Sequence, residues 1–74
     1  MNNQINIFNL EAGQEIIVET WQGTFTTTFK MYREITVRTR TPSFEIHTEM
    51  GIVMAGANGE PVHYNDYTSR IVSI

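Results

Sequence analysis

"GTFTTTFKMYREITVRTR", Gly23 to Arg40, runs seventeen residues past its glycine without a Pro, Asn, Asp or second Gly. Thr, Phe, Tyr, Ile and Val dominate it, the side chains that suit a pleated, half-buried surface. As one straight strand, Thr24 to Arg40 would span about 55 Å at ~3.3 Å per residue. That is too long for a domain of this size. A break or sharp bend is therefore expected within Met31–Ile35, either as a type I turn, which needs no Gly, or as a bent strand shared by two sheets.

Upstream, "GQEIIVETWQGTFTTTFKMY" reads as a hairpin about a two-residue turn at Gln22-Gly23, where Gly suits the positive φ such turns demand. Trp21 then faces Thr24, Val18 faces Thr27, Ile16 faces Phe29 and Gln14 faces Met31. Ile16, Val18, Phe25, Phe29 and Met31 form the core face. Ile17, Glu19, Trp21, Thr26, Thr28, Lys30 and Tyr32 form the outer one, with Glu15 across from Lys30. A one-residue slip would bury the charges.

Downstream, a turn at Pro42-Ser43 places Arg40 opposite Glu45, Arg38 opposite His47, Thr36 opposite Glu49 and Ile35 opposite Met50. Ile35, Val37, Phe44, Ile46 and Met50 then share an apolar face, and the other face carries charges of complementary sign. Opposite charges across strands contribute roughly 0.2–1 kcal/mol each. "GIVM", "VHY" and "IVSI" supply further short strands. "GANGEP" holds an Asn58-Gly59 turn signal, and "NDYTSR" reads as a turn or single helical turn. Strands punctuated this often, without an amphipathic helix, make an all-β chain. The expected fold is one domain, residues 1–74, forming a small, strongly bent barrel of five or six strands, whose closure removes exposed edges.

"LEAGQEIIVETWQGTF", Leu10 to Phe25, resembles the opening of SH3-like and Sm-like small barrels, where an apolar residue and a glycine precede an alternating strand that turns through a second glycine. "NDYTSRIVSI", Asn65 to Ile74, is similar to their brief helical turn before a closing strand. The resemblance covers about half the chain and implies architecture without activity, since the fold hosts many functions. An OB-like barrel is the alternative, although it usually requires a longer chain and a helix.

Seventy-four residues hold one small core, and the absence of cysteine removes disulfides and thiolate metal sites. The cysteine-free composition and an N-terminus, "MNNQINIFNL", without a basic region or long apolar segment give cytoplasmic localisation and no membrane contact as expectations. A net charge of −3 argues against generic polyanion binding.

Four features bear on function. Ile17, Trp21 and Tyr32 on the outer face of the first hairpin are candidate partner-binding residues, because exposed Trp and Tyr on a rigid sheet act as anchors. The competing reading has "INIFNL" folding across this face and burying it. Lys30, Arg33, Arg38 and Arg40, interleaved with Tyr32, are candidate nucleic-acid contacts. Against that, Glu15, Glu34, Glu45 and Glu49 balance them. Glu45, His47 and Glu49 fall on one strand face, with His63 and Asp66 elsewhere, but no metal-ligand signature spacing is present, and they read as a polar outer face. Met31, Met50 and Met54 read as gap-filling core side chains.

Ser43, Ser69 and Ser73 lack a glycine elbow, and "GANG" lacks the Lys-Ser of a phosphate loop. No catalytic residue, metal or cofactor is expected. The expectation is a non-enzymatic binding module acting through protein–protein contacts, on another protein or on itself as a homo-oligomer, in the style of small accessory or inhibitory proteins of phages and mobile elements. The alternative is single-stranded nucleic-acid binding.

Overall fold

A computed structural model of the chain describes residues 5–35, 42–64 and 67–74. After a 3-10 turn, Ile7–Asn9, six strands follow: β1 (Glu15–Thr20), β2 (Gly23–Ile35), β3 (Ser43–Thr48), β4 (Gly51–Ala55), β5 (Val62–Tyr64) and β6 (Tyr67–Ser73). They form one antiparallel sheet in the order β4-β3-β2-β1-β6-β5. The all-β expectation holds, whereas barrel closure does not: β4 and β5 are the two ends of an open sheet. The brief helical turn expected before the last strand is also replaced, since Tyr67–Arg70 already belong to β6.

As far as Ile35, the opening stretch is a bent strand shared between two halves of the sheet, and its register breaks at Lys30, ahead of the expected Met31–Ile35. Straight, the thirteen residues of β2 would reach roughly 40 Å at ~3.3 Å each. The longest dimension of the Cα trace is 30 Å, so β2 must bend. Its first half pairs with β1, from Thr20↔Gly23 to Glu15↔Thr28. Its second half pairs with β3, from Phe29↔Thr48 to Ile35↔Ser43, and the register shifts between Phe29 and Met31. Lys30 is thus the extra residue of a β-bulge, which bends and twists its strand.

The bulge also exchanges the two faces. Before it, Phe25, Thr27 and Phe29 point inward. Past it, Tyr32 lies opposite the fully buried Ile46, and Met31 turns outward, 49% exposed. Met31 is therefore not a core residue, and Tyr32 does not share the outer face of Ile17 and Trp21. Met50 is no core residue either, because it sits exposed in the β3–β4 turn. Met54 is half-buried.

The first hairpin keeps its expected faces with a displaced register. Val18 opposes Phe25 instead of Thr27, and the two loop residues are Trp21 and Gln22. Because this displacement moves the pairing by an even number of residues, every side chain stays on its expected side. Thr20 sets the turn: its Oγ1 accepts the Gln22 N–H at 3.1 Å and donates to the Gly23 carbonyl at 3.4 Å. The β3–β4 turn repeats the device, with Thr48 Oγ1 accepting the Met50 N–H at 3.1 Å and donating to the Gly51 carbonyl at 2.8 Å. Both glycines adopt a φ that other residues resist, +135° and +132°.

The second expected hairpin register is overturned. Glu45 pairs with Arg33 and Ile35 with Ser43, so Ser43 already belongs to β3 and is not part of a two-residue turn. The expected partners Arg38 and Arg40 of His47 and Glu45, together with Thr36 and Val37, lie outside the described residues.

The core gathers Ile16, Val18 and Phe29 with Phe44, Ile46 and Ile71. Ile5, Ile7 and Leu10 from the N-terminal segment complete it, so "INIFNL" enters the interior instead of lying across the outer face. The loop after β4 anchors both chain ends. Ala57 O accepts the Ile7 N–H, and Gly59 O accepts the Ile71 N–H, each at 3.0 Å. A second irregularity, between Ile17 and Val18 where β1 meets β6, bends that side of the sheet as well.

Candidate functional site

The Thr20 turn leaves Trp21 at the tip of the first hairpin, 64% exposed. Strand β6 runs alongside β1, pairing Arg70 with Glu19. The Arg70 Nε donates to Glu19 Oε1 at 2.8 Å. This places Tyr67, at the head of β6, against the indole, with ring centroids 5.3 Å apart and planes tilted by 38°. Such offset aromatic pairs contribute about 0.5–1.5 kcal/mol beyond the area they bury.

Opposite these rings stands β4, where the sheet fails to close. Ser69 spans the seam: its hydroxyl accepts the Met54 N–H at 3.0 Å and donates to the Met54 carbonyl at 2.7 Å. One side chain thereby takes up the two hydrogen bonds that a residue of a neighbouring strand would exchange with Met54. Beyond it Ile52 is exposed, and between Ile52, Trp21 and Tyr67 lies an open cleft of about 260 Å³. Its lining has no charged side chain, and Val62, Thr68 and Ser69 also contribute to it.

Of the expected anchors, only Trp21 lines this cleft. Ile17 is half-buried on the outer side of β1, between Thr26 and Ser73. Tyr32 belongs to a separate cluster, packing edge-on against Phe8 at 5.4 Å and Phe44 at 5.9 Å, with Phe8 on Phe44 at 5.4 Å. Tyr67 and Ile52 were missed, Tyr67 because "NDYTSR" reads as a turn. The legible signal was the second Thr-x-x-Gly, "TEMG", which ends β3 at Thr48 and starts β4 at Gly51.

The basic candidates divide. Lys30 is exposed at the bulge. Arg33 is committed to Glu45, with its guanidinium 2.9 Å from Oε1, and the same oxygen lies 3.2 Å from His47 Nε2. Arg38 and Arg40 lie outside the described residues. Glu45 and His47 therefore do meet, while Glu49 stands in the turn beyond them. Among the described residues, no three His, Asp or Glu side chains converge as a metal site would require. Asp66 lies outside them.

The hydrogen bond from His47 lowers the Glu45 pKa; loss of hydration opposes it, and the charge and hydrogen bond of Arg33 add to the lowering. A carboxylate held below its unfolded value, about 4.3, stabilises the fold above that pH, and the contribution is lost as pH falls through the folded value. Glu45→Gln should be less stable than the parent at neutral pH, and the two should converge below about pH 4. Urea melts across that range check this, and parallel curves would exclude Glu45 as an acid-sensitive group.

No protein-family model, curated protein or solved structure matches this chain.

Proposed function

We propose that the chain is a binding module that acts on another protein through the cleft of Trp21, Tyr67 and Ile52. The observation that carries this reading is two aromatic rings in tilted contact, each more than half exposed, beside an exposed isoleucine. Large aromatic side chains on a rigid support are the residues that dominate binding energy at protein interfaces. A contiguous exposed apolar surface on a small domain marks a site of association. The support here is firm: the Thr20 turn, the Glu19–Arg70 pair and the Ser69 bridge hold the three walls. An uncharged lining suits an apolar side chain of the partner.

The strand order supports a finer description of the fold as a small barrel of SH3-like or Sm-like type. β6, β1, β2, β3 and β4 follow one another around the sheet, β2 serves both halves, and Ser69 bridges the remaining seam. The nucleic-acid alternative has less support, because Arg33 is already neutralised by Glu45.

The test is capture of a partner from cells of the source organism, followed by titration of that partner, once purified, against the parent and Trp21→Ala. Loss of about 2 kcal/mol or more, some 30-fold in Kd, is expected of a central aromatic anchor. Circular dichroism should be unchanged, because the indole lies at a turn tip. A partner that binds Trp21→Ala and Tyr67→Ala as tightly as the parent would rule the cleft out. Binding to an oligonucleotide that collapses as salt rises from ~50 to 200 mM would favour the alternative.

A further inference from the structure

The open sheet leaves a strand edge inside the cleft. In an antiparallel ladder, alternate residues aim both backbone groups at the neighbouring strand, and the residues between them aim theirs away. The Met54 N–H and C=O meet the Ser69 hydroxyl at 3.0 and 2.7 Å, so Met54 faces away from β3. The β3–β4 register is unbroken from Phe44↔Ala55 to Thr48↔Gly51. Ile52, two residues before Met54, therefore aims its N–H and C=O the same way, across the seam toward β6. Ser69 caps Met54 but does not reach further. Among the described residues no hydrogen bond is made to the Ile52 backbone, which opens beside Trp21 and Tyr67. At the other end of the sheet, β5 is three residues long and offers little for pairing.

An unpaired strand edge is matched by extended backbone, whose own N–H and C=O groups are free to exchange with it. A helix has already paired its backbone internally and cannot answer Ile52 in this way. The aromatic wall narrows the choice further. The edge of a second folded copy would bring another strand ~4.8 Å behind its own, with side chains on both faces. The cleft is only about 260 Å³ and is walled opposite Ile52 by Trp21 and Tyr67. A single chain fits there, and the edge of a sheet does not.

Resting on the reading of the cleft as the binding site, we infer that its occupant is an extended segment of another protein, which adds to β4 at Ile52. The segment donates to the Ile52 carbonyl and accepts the Ile52 N–H, and it sets an apolar side chain against Trp21 and Tyr67. The rings carry most of the affinity, and the backbone pair fixes the direction and register of the segment. Ser69 marks where the added strand stops, because the next outward position, Met54, is already satisfied.

A displayed library of random linear peptides, selected on the parent protein, supplies the probe. At saturation the recovered peptide should slow amide hydrogen exchange of Ile52 by about tenfold or more, while Val53, which faces β3, changes little. Ile52→Pro removes the N–H at an edge position that tolerates proline. It should weaken the peptide by about tenfold or more beyond Ile52→Ala, which loses the side chain but keeps the N–H. Should the proline variant fail to fold, exchange in the parent still decides. Unchanged Ile52 exchange in the presence of a peptide that shifts the Trp21 indole resonance overturns strand addition and leaves the cleft standing as a binding site. A library that yields no peptide overturns it as well, and a Trp21-dependent protein partner would then still support the broader reading. Ile52 protection that rises with protein concentration alone would give the edge to a second copy and overturn it. A peptide held as tightly by Trp21→Ala overturns it too, and a cellular partner that likewise ignores Trp21→Ala removes the broader reading with it.

Discussion

Ile7→Ala should leave the protein largely unfolded at room temperature. Ile7 is fully buried, and its neighbours Ile5 and Leu10 join the same core as the strands. Truncating a buried isoleucine to alanine costs about 2–5 kcal/mol through lost transfer free energy and the cavity left behind. A domain of this length holds only ~3–5 kcal/mol in total. Phe8, the adjacent residue, supplies the contrast. It is half exposed and contributes an edge-on contact to Tyr32 and Phe44. Phe8→Ala should therefore cost far less, near the ~0.5–1.5 kcal/mol of aromatic pairing together with a partial burial term. Urea denaturation of both variants measures the difference. Equal losses would mean that the N-terminal segment is not seated with Ile7 inward and Phe8 at the rim.

Gly59→Ala should be nearly as damaging, for two separate reasons. Gly59 adopts φ +77°, a left-handed conformation in which a Cβ costs roughly 1–2 kcal/mol. A Cβ placed there would also stand 3.0 Å from the Ile71 carbonyl oxygen and 3.1 Å from Ile5 Cγ2. One of those neighbours is backbone and the other is core, so neither yields cheaply, and overpacking of this kind adds about 1–3 kcal/mol. The same residue accepts the Ile71 N–H, so any shift that relieves the clash pulls on β6. A loss of about 2–5 kcal/mol is expected. A loss of only about 1 kcal/mol, no more than backbone strain alone, would contradict the steric part of the account. In an Ile5→Val background the penalty should fall, because the contact with Ile5 Cδ1 at 3.2 Å is removed. Strict additivity would count against it.

The two hairpin turns show how much of this fold was readable locally. Alternation along "EIIVET" and "TFTTTF" assigned the inner and outer faces of β1 and β2 correctly up to Phe29, although the turn itself lies one residue earlier than the Gln22-Gly23 signal suggests. The error was harmless because an even shift preserves the faces. What defines both turns is a Thr hydroxyl before the loop and a positive-φ Gly after it, in "TWQG" and again in "TEMG". Reading the second as a copy of the first would have moved Met50 out of the core and into a turn.

The bulge had no comparable signal. Nothing in "FKMY" distinguishes Lys30 as the residue that β3 skips. That single omission carried Met31 inward and set Tyr32 beside Trp21, while the turn read at Pro42-Ser43 misplaced the pairs of the second hairpin. The candidate site suffered in the same way. Trp21 was a candidate from the outward side of the first hairpin, but Tyr67 and Ile52 reach it only because β6 lies beside β1 and β4 ends the sheet on the other side of the seam.

By itself the order of residues determined the class of structure, the strands' inward and outward sides as far as Phe29, and the presence of turns at glycine. These depend on contacts between near neighbours and on a two-residue repeat that any pairing must respect. Only the tertiary structure decided the bulge, the strand order, the entry of Ile5, Ile7 and Leu10 into the core, and the meeting of Trp21 with Tyr67 and Ile52. Register and closure are settled by the fit of distant strands around a shared interior, where several alternatives satisfy the local pattern equally well and packing selects among them.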